Sequence, residues 1–363
     1  MSERDNRCRW TGQPGHYEVW YLTCNRGPDD TGYWIRYTLE APLDGHGEPY
    51  AQLWFARFDA KSPERNLAVN QVFPITAWNT SAEPFAVTIG PGQLTNGSAR
   101  GRIVGAASPG TPGGPDAGSG AGPNHEVSWD LRWTPALWTH HHLPGLMYRR
   151  AGLSETTVLS PNLDVDISGT ITCDGETVEL RGEPGGQTHL WGRKHAHAWA
   201  WGHCNNFAGR RSAALETLSV QLKRLGRELP RLTIFTLYLD GEIYRFTEFH
   251  HTLLTRARWS TGRYSFAAYS PTVRILGEFR CRPEDMVVAP YVDPDGAPSY
   301  CANTEVGDLD ITVHKRRGIL SRWSEFARLT APRRGHFEIG GRERDPRVAA
   351  DHLTVSRSDE AAG

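Results

Sequence analysis

Apolar and polar side chains alternate with a period of two along most of the chain. On this pattern residues 16–25, 32–40, 50–59, 126–132, 163–172 and 177–181 read as strands. Beyond residue 190 the same alternation marks 197–207, 213–223, 232–239, 242–247, 264–270, 273–280, 286–292, 299–306 and 309–314. Asp174-Gly175 and Asp240-Gly241 suit type I′ hairpin turns, which need positive φ at both central positions. Pro294-Asp295-Gly296 marks a third turn. Helical spacing is confined to Ile319, Leu320, Trp323, Phe326 and Ala327, which predict one short helix over a barrel end. Many short strands with regular turns predict an all-β fold of barrels or sandwiches.

A chain of 363 residues exceeds one ordinary core and predicts two domains. The expected division is a first barrel over 1–188, a second over 189–341 and a charged, solvated tail over 342–363. The turn-rich stretch 182–187 suggests the boundary. Residues 107–124 are nearly all Gly, Pro, Ser and Ala and read as a mobile loop inside the first half. There is also a faint internal repeat. His16 to Asn25 is an aromatic strand ending in Cys-Asn and followed by a second strand, and so is Ala196 to Asn205.

Composition narrows the function. Forty Lys and Arg balance 41 Asp and Glu, so no basic surface points to nucleic acid. Apolar residues are only 38% of the chain, but 13 Trp, 12 Tyr and 12 Phe can build thin cores and apolar pockets. No run approaches the roughly 20 apolar residues that span a bilayer, so stable membrane insertion is not expected. The six cysteines show no Cys-x-x-Cys, and the first ten residues are polar; the expectation is a cytoplasmic protein with reduced thiols. No phosphate loop, Ser elbow or Walker pattern occurs, and no cofactor is called for.

The richest segment runs from Gln187 to Phe207. Read as one strand, it puts His195, His197, Trp199, Trp201, His203 and Asn205 on one face. Ala196, Ala198, Ala200, Gly202 and Cys204 take the other. The small face suits packing. The bulky, hydrogen-bonding face suits an apolar ligand, with His197, Trp199, Trp201 and Asn205 as its wall. Tyr21 and Asn303 are further binding candidates. His203, Glu18 and Glu305 are the candidate proton donors. Glu18 shares a strand face with Trp20 and Leu22, and a carboxyl there must be paired, with Arg36 or Arg132 as candidate partner, or protonated. His195 and His197 have chelating spacing, but no carboxylate or Cys joins them at a recognisable interval, so no metal is expected. His140 to His142 read as a solvated loop.

Trp191 to Phe207 resembles the tocopherol cyclase pattern, in which a Trp-rich strand leads into a Cys-Asn pair and a Phe. Tyr17-Glu-Val-Trp-Tyr21 resembles the Glu-Trp-Trp-Tyr strand that begins many members of the carotenoid hydratase/tocopherol cyclase lipocalin-like superfamily. The resemblance implies two lipocalin-like antiparallel β-barrel domains packed side by side, with a ligand cavity at or near their contact. It implies a cofactor-free cyclase, isomerase or hydratase acting on a hydrophobic small molecule such as a terpenoid, polyene or polyketide. The alternative is a lipocalin-like carrier of such a ligand without turnover. Val19 stands where a Trp is usual, and His203 is the nearest counterpart of an Asp that the hydratases carry. Oligomeric state is left open.

Overall fold

The computed structural model describes residues 2–105, 124–149, 154–224, 226–349 and 353–357. One sheet holds β1 (His16–Arg26), β2 (Thr31–Ala41), β3 (Tyr50–Asp59), β4 (Leu67–Pro74), β5 (Trp78–Ala82), β6 (Phe85–Ile89), β7 (Gly92–Thr95), β8 (Ser98–Gly105), β9 (His125–Arg132), β10 (His140–His141), β11 (Thr156–Cys173) and β12 (Glu176–Gly192). The next strands are β13 (Ala198–Cys204) and β14 (Ala213–Gln221), then a separate short pair, β15 (Lys223–Arg224) and β16 (Arg227–Glu228). The second sheet continues with β17 (Leu232–Leu239), β18 (Glu242–Phe246), β19 (Thr255–Ser260), β20 (Arg263–Tyr269), β21 (Val273–Arg280), β22 (Val287–Val292), β23 (Pro298–Lys315) and β24 (Ser324–Gly341). Finally β25 (Leu353–Arg357) returns to the first sheet, parallel to β4.

Each sheet curls on itself. In the first, β4 and β25 come against β8; in the second, β17 comes against β19. The protein is thus all-β, two antiparallel barrels side by side. The order β4-β3-β2-β1-β12-β11-β9-β8-β7 in one sheet has the same plan as β18-β17-β14-β13-β24-β23-β21-β20-β19 in the other. The two Cys-Asn strands, β1 and β13, hold equivalent places in it.

Period two has an unusual meaning at the centre. Trp20 and Leu22 of β1 and Tyr33, Ile35 and Tyr37 of β2 fill the first barrel. Ala200 and Cys204 of β13, with Phe279 and Phe337, fill the second. The opposite faces of these strands meet each other. Trp34, Trp54, Trp199, Tyr291 and Cys301 form a third cluster between the barrels. Strand β2 is therefore buried at every position, and its alternation separates barrel core from interface rather than core from water. Backbones approach closely here. A Cβ on Gly32 would lie 2.4 Å from that of Glu305 on β23.

Two asparagines tie the barrels. Asn25 Nδ2 donates to the Glu305 carbonyl at 2.8 Å, and Asn205 Nδ2 to the Gly185 carbonyl at 2.8 Å. Both carbonyls sit near register shifts in the long hairpins β23/β24 and β11/β12. Such bulges take backbone groups out of the ladder and leave them for other partners.

Several expectations change. Residues 187–207 are not one strand: β12 ends at Gly192 and β13 begins at Ala198, so the passage between sheets lies in 193–197. The expected helix near 319–327 is a turn, with Ile319 and Leu320 exposed and Phe326 and Ala327 already in β24. Residues 353–357 of the expected solvated tail pair with β4. The expected loop 107–124 lies outside the described residues except for Asn124.

Candidate active site

His203 on β13 stands in register between Glu216 on β14 and His336 on β24. Directly opposed residues point to the same face of a sheet, here the face turned to the first barrel. Buried Glu216 accepts three N–H groups, from His142 Nε2 at 2.7 Å, His203 Nδ1 at 3.0 Å and Trp201 Nε1. Burial alone raises a carboxyl pKa. The charges and hydrogen bonds of His142 and His203 outweigh it and hold Glu216 well below the usual carboxylate range. A carboxylate only accepts, so His203 Nδ1 carries the hydrogen that faces Glu216, and Nε2 is the ring nitrogen turned away from it. That Nε2 is buried with no hydrogen-bond partner among the described residues.

The His336 ring stacks on His203, with centroids 5.5 Å apart. Its Nδ1 is hydrogen-bonded to Glu305 Oε2. At Glu305 burial wins. It pushes the carboxyl well above the usual range against the pull of Asn303, two residues along the same strand, and Glu338 adds to the rise. Burial, then the neighbouring His203, push His336 well below its ordinary value. Both shifts favour the uncharged pair, with one hydrogen lying between Glu305 Oε2 and His336 Nδ1. His336 Nε2 is buried without a hydrogen-bond partner among the described residues, and Glu305 Oε1 and the Asn303 amide have none there but each other. Buried polar atoms are seldom left so, and a cluster of them marks a place where something else binds.

The first barrel supplies the facing wall. Tyr21 meets Trp201 edge-on, with centroids 5.6 Å apart. Burial raises its phenol well above the ordinary value, and Glu216, Glu338 and Glu305 all add to this against a Thr188 hydrogen bond. Glu338 accepts from Trp199 Nε1 at 2.8 Å and Cys301 Sγ at 3.3 Å. Tyr21 and Glu338 are the half-buried members of this otherwise buried group, so it borders accessible space.

A family model described as tocopherol cyclase-like matches residues 15–341. The chain belongs to the tocopherol cyclase-like family. Membership supports, coarsely, a cyclase-type enzyme. Two uncharacterised proteins of Mycobacterium tuberculosis, from strains CDC 1551 and H37Rv, are each 25% identical over 340 residues, or 92% of this chain and 88% of theirs. An AttH-type protein of Nitrosomonas europaea shares the fold over 94% of this chain and 96% of its own, with a TM-score of 0.53 and 13% identity. Kievitone hydratase of Nectria haematococca aligns over 94% and 92%, with a TM-score of 0.46 and 10% identity.

In this tocopherol cyclase-like protein Tyr21, Trp201, His203, Asn303 and Glu305 come together as one group. Trp199 adjoins them through Glu338. Three candidates stand elsewhere. His197 precedes β13 and turns toward Glu228, 3.7 Å away, because the strand begins one residue later. Asn205 is committed to Gly185 and Asp164. Glu18 lies on the core face of β1. It accepts the Arg9 and Trp10 N–H groups at 2.8 and 3.0 Å, and His16 and His189 at 3.1 and 2.8 Å. Although burial opposes them, the bonds from His16 and His189 bring its pKa down to about 2. It is a saturated carboxylate, not a proton donor, and its partners are imidazoles and amides rather than Arg36 or Arg132.

Glu216, His336, Glu338 and His142 were not legible as site residues. The signal for Glu216 was a single acid inside the apolar run Ala213-Ala-Leu-Glu-Thr-Leu218. His140 and His142, expected in solvent, are buried, since β10 pairs with β11 and carries them beneath the second barrel. Among the described residues no three His, Cys, Asp or Glu side chains group as a metal site. No helix among them is long and apolar enough to cross a membrane.

Proposed function

We propose that this protein is a cofactor-free cyclase or hydratase that holds a hydrophobic terpenoid, polyene or polyketide between its barrels and protonates it there. One observation carries the reading. Two buried carboxyls, Glu305 and Glu216, are displaced in opposite directions and joined through the stacked rings of His336 and His203. Titratable groups pushed apart in this way serve as acid and base in one reaction.

His336 Nε2–H is the proton donor to an alkene carbon. Glu305 passes its own proton to Nδ1 and becomes the carboxylate, which keeps His336 neutral. The cation formed is stabilised by the π faces of Trp201 and Trp199. Water, or a hydroxyl of the same substrate, adds to the cation and gives its proton to His203 Nε2. The resulting imidazolium faces the Glu216 carboxylate. Return of that proton across the stack to the Glu305–His336 pair resets the site. Enclosure of the chain in one folded conformer supplies the rest of the rate.

The test is turnover of a panel of polyenes and prenylated phenols, read by mass spectrometry as gain of one water or as an isomer of altered retention. Glu305→Gln and His203→Ala should each lower turnover by about 10²- to 10⁴-fold. Undiminished turnover in Glu305→Gln sinks the mechanism. Tight binding of panel members with no conversion favours the carrier reading instead.

A further inference from the structure

Arg36 lies on β2, in register between Tyr21 on β1 and Trp54 on β3, with its side chain toward the second barrel. It is only 4% exposed. Among the described residues it makes no ion pair, and no partner is found for its buried Nε. Its guanidinium lies over the Tyr291 ring, 4.2 Å from the centroid, and 5.9 Å from that of Trp34. Aromatic faces hold an arginine in place without using its in-plane N–H groups. A buried cation normally has a carboxylate bound to it. The carboxyls nearest in charge, Glu40 and Glu338, make no such bond, and burial pushes both upward toward the neutral acid. Tyr21, paired beside Arg36, packs on Trp201, so the arginine and the acid–base group border the same interface.

We propose that Arg36 is the recognition site for an acidic oxygen group, a carboxylate, on an otherwise apolar substrate. The planar fork of a guanidinium matches the two oxygens of a carboxylate. Trp54, Trp34 and Tyr291 give the adjoining apolar surface. This rests on the reading of the interface as the substrate site and adds to it the substrate's polar end. The apolar body then runs from Arg36 past Tyr21 toward His203 and His336, so a reactive double bond is presented to the acid in one orientation only. Arg36 is in this sense a specificity-determining residue.

The probes are all-trans-retinoate and its methyl ester, which share a polyene body and differ in the charged oxygen. Binding to the full chain is followed by quenching of tryptophan fluorescence and checked by calorimetry. Wild type should bind retinoate roughly 10- to 100-fold more tightly than the ester, the range of a charge-assisted hydrogen-bonded contact. Arg36→Met should abolish that preference, and Arg36→Lys should keep part of it. Equal affinity of wild type for acid and ester overturns the assignment without requiring any variant to fold, and leaves the interface reading standing. A preference that survives in Arg36→Met overturns it equally. Binding of neither retinoid overturns both the assignment and the interface reading.

Discussion

A carboxyl buried between two barrels is either charged and saturated with donors or neutral and short of them, and Glu216 and Glu305 take the two states. Their pH dependences have opposite sign. Glu305 is raised, so the folded state favours its acid form. Its contribution is complete below the unfolded value of about 4.3 and is lost as pH rises toward the folded value. Glu305→Gln has no such loss. Its melting temperature relative to wild type should climb between pH 5 and pH 8, and a flat difference would contradict the raised pKa. Glu216 is lowered, so its contribution is present above about pH 4.3 and fades as pH falls. Glu216→Gln should cost on the order of 3 kcal/mol at pH 7 in urea unfolding, because buried N–H donors lose a full acceptor. Trp201 is both wall and donor to Glu216. Trp201→Ala should cost about 3–5 kcal/mol of stability as well as ligand affinity, whereas Trp201→Phe keeps most of the packing and exposes the donor's share.

At the scale of elements, the N-terminal segment shows what a saturated acid does for a fold. Residues 5–10 have little core of their own, yet Arg9 and Trp10 amides close on Glu18, and Trp20 Nε1 donates to the Asn6 carbonyl at 2.9 Å. The segment is a plug held by β1 and β12. Glu18→Gln should destabilise the protein by on the order of 3 kcal/mol at pH 7, with the gap closing as pH falls through 4 toward 2. Deleting residues 2–10 should cost at least as much, since it leaves a buried carboxylate without its amides. A deletion that unfolds at the wild-type urea midpoint would show that the plug contributes nothing. Among the strands missed in the sequence, β4 to β8 and β19 are four to eight residues long, and in β8 the buried alternate positions are mostly Ala and Gly, which give little apolar contrast. Strand β24 was missed for another reason: Trp323, Phe326 and Ala327 mimic helical spacing across a turn that leads into a strand.

At the scale of the whole molecule, the barrels are joined by an apolar interface and by two related asparagines. Each donates to a carbonyl of the opposite half. The double variant Asn25→Ala/Asn205→Ala should lose roughly 2–4 kcal/mol and unfold in two calorimetric steps, where wild type unfolds in one. A single transition at unchanged temperature would show that apolar contact alone couples the halves. The sequence by itself determined the all-β class, the pair of Cys-Asn strands, the size split across β13 and the family resemblance, because strand period and local motif are properties of neighbouring residues. It also pointed to His203, Glu305, Asn303, Tyr21 and Trp201, since polar groups among aromatics stand out locally. Only the tertiary structure decided which of two apolar faces was core and which interface, for burial on both sides erases the contrast that alternation normally carries. The pairing of His203 with Glu216, and of Glu305 with His336, was likewise decided there. Those partners lie 13 and 31 residues apart on strands whose register no local pattern encodes. The same is true of Glu18, whose charge state depends on His189, 171 residues away, and so could not be read from its own strand.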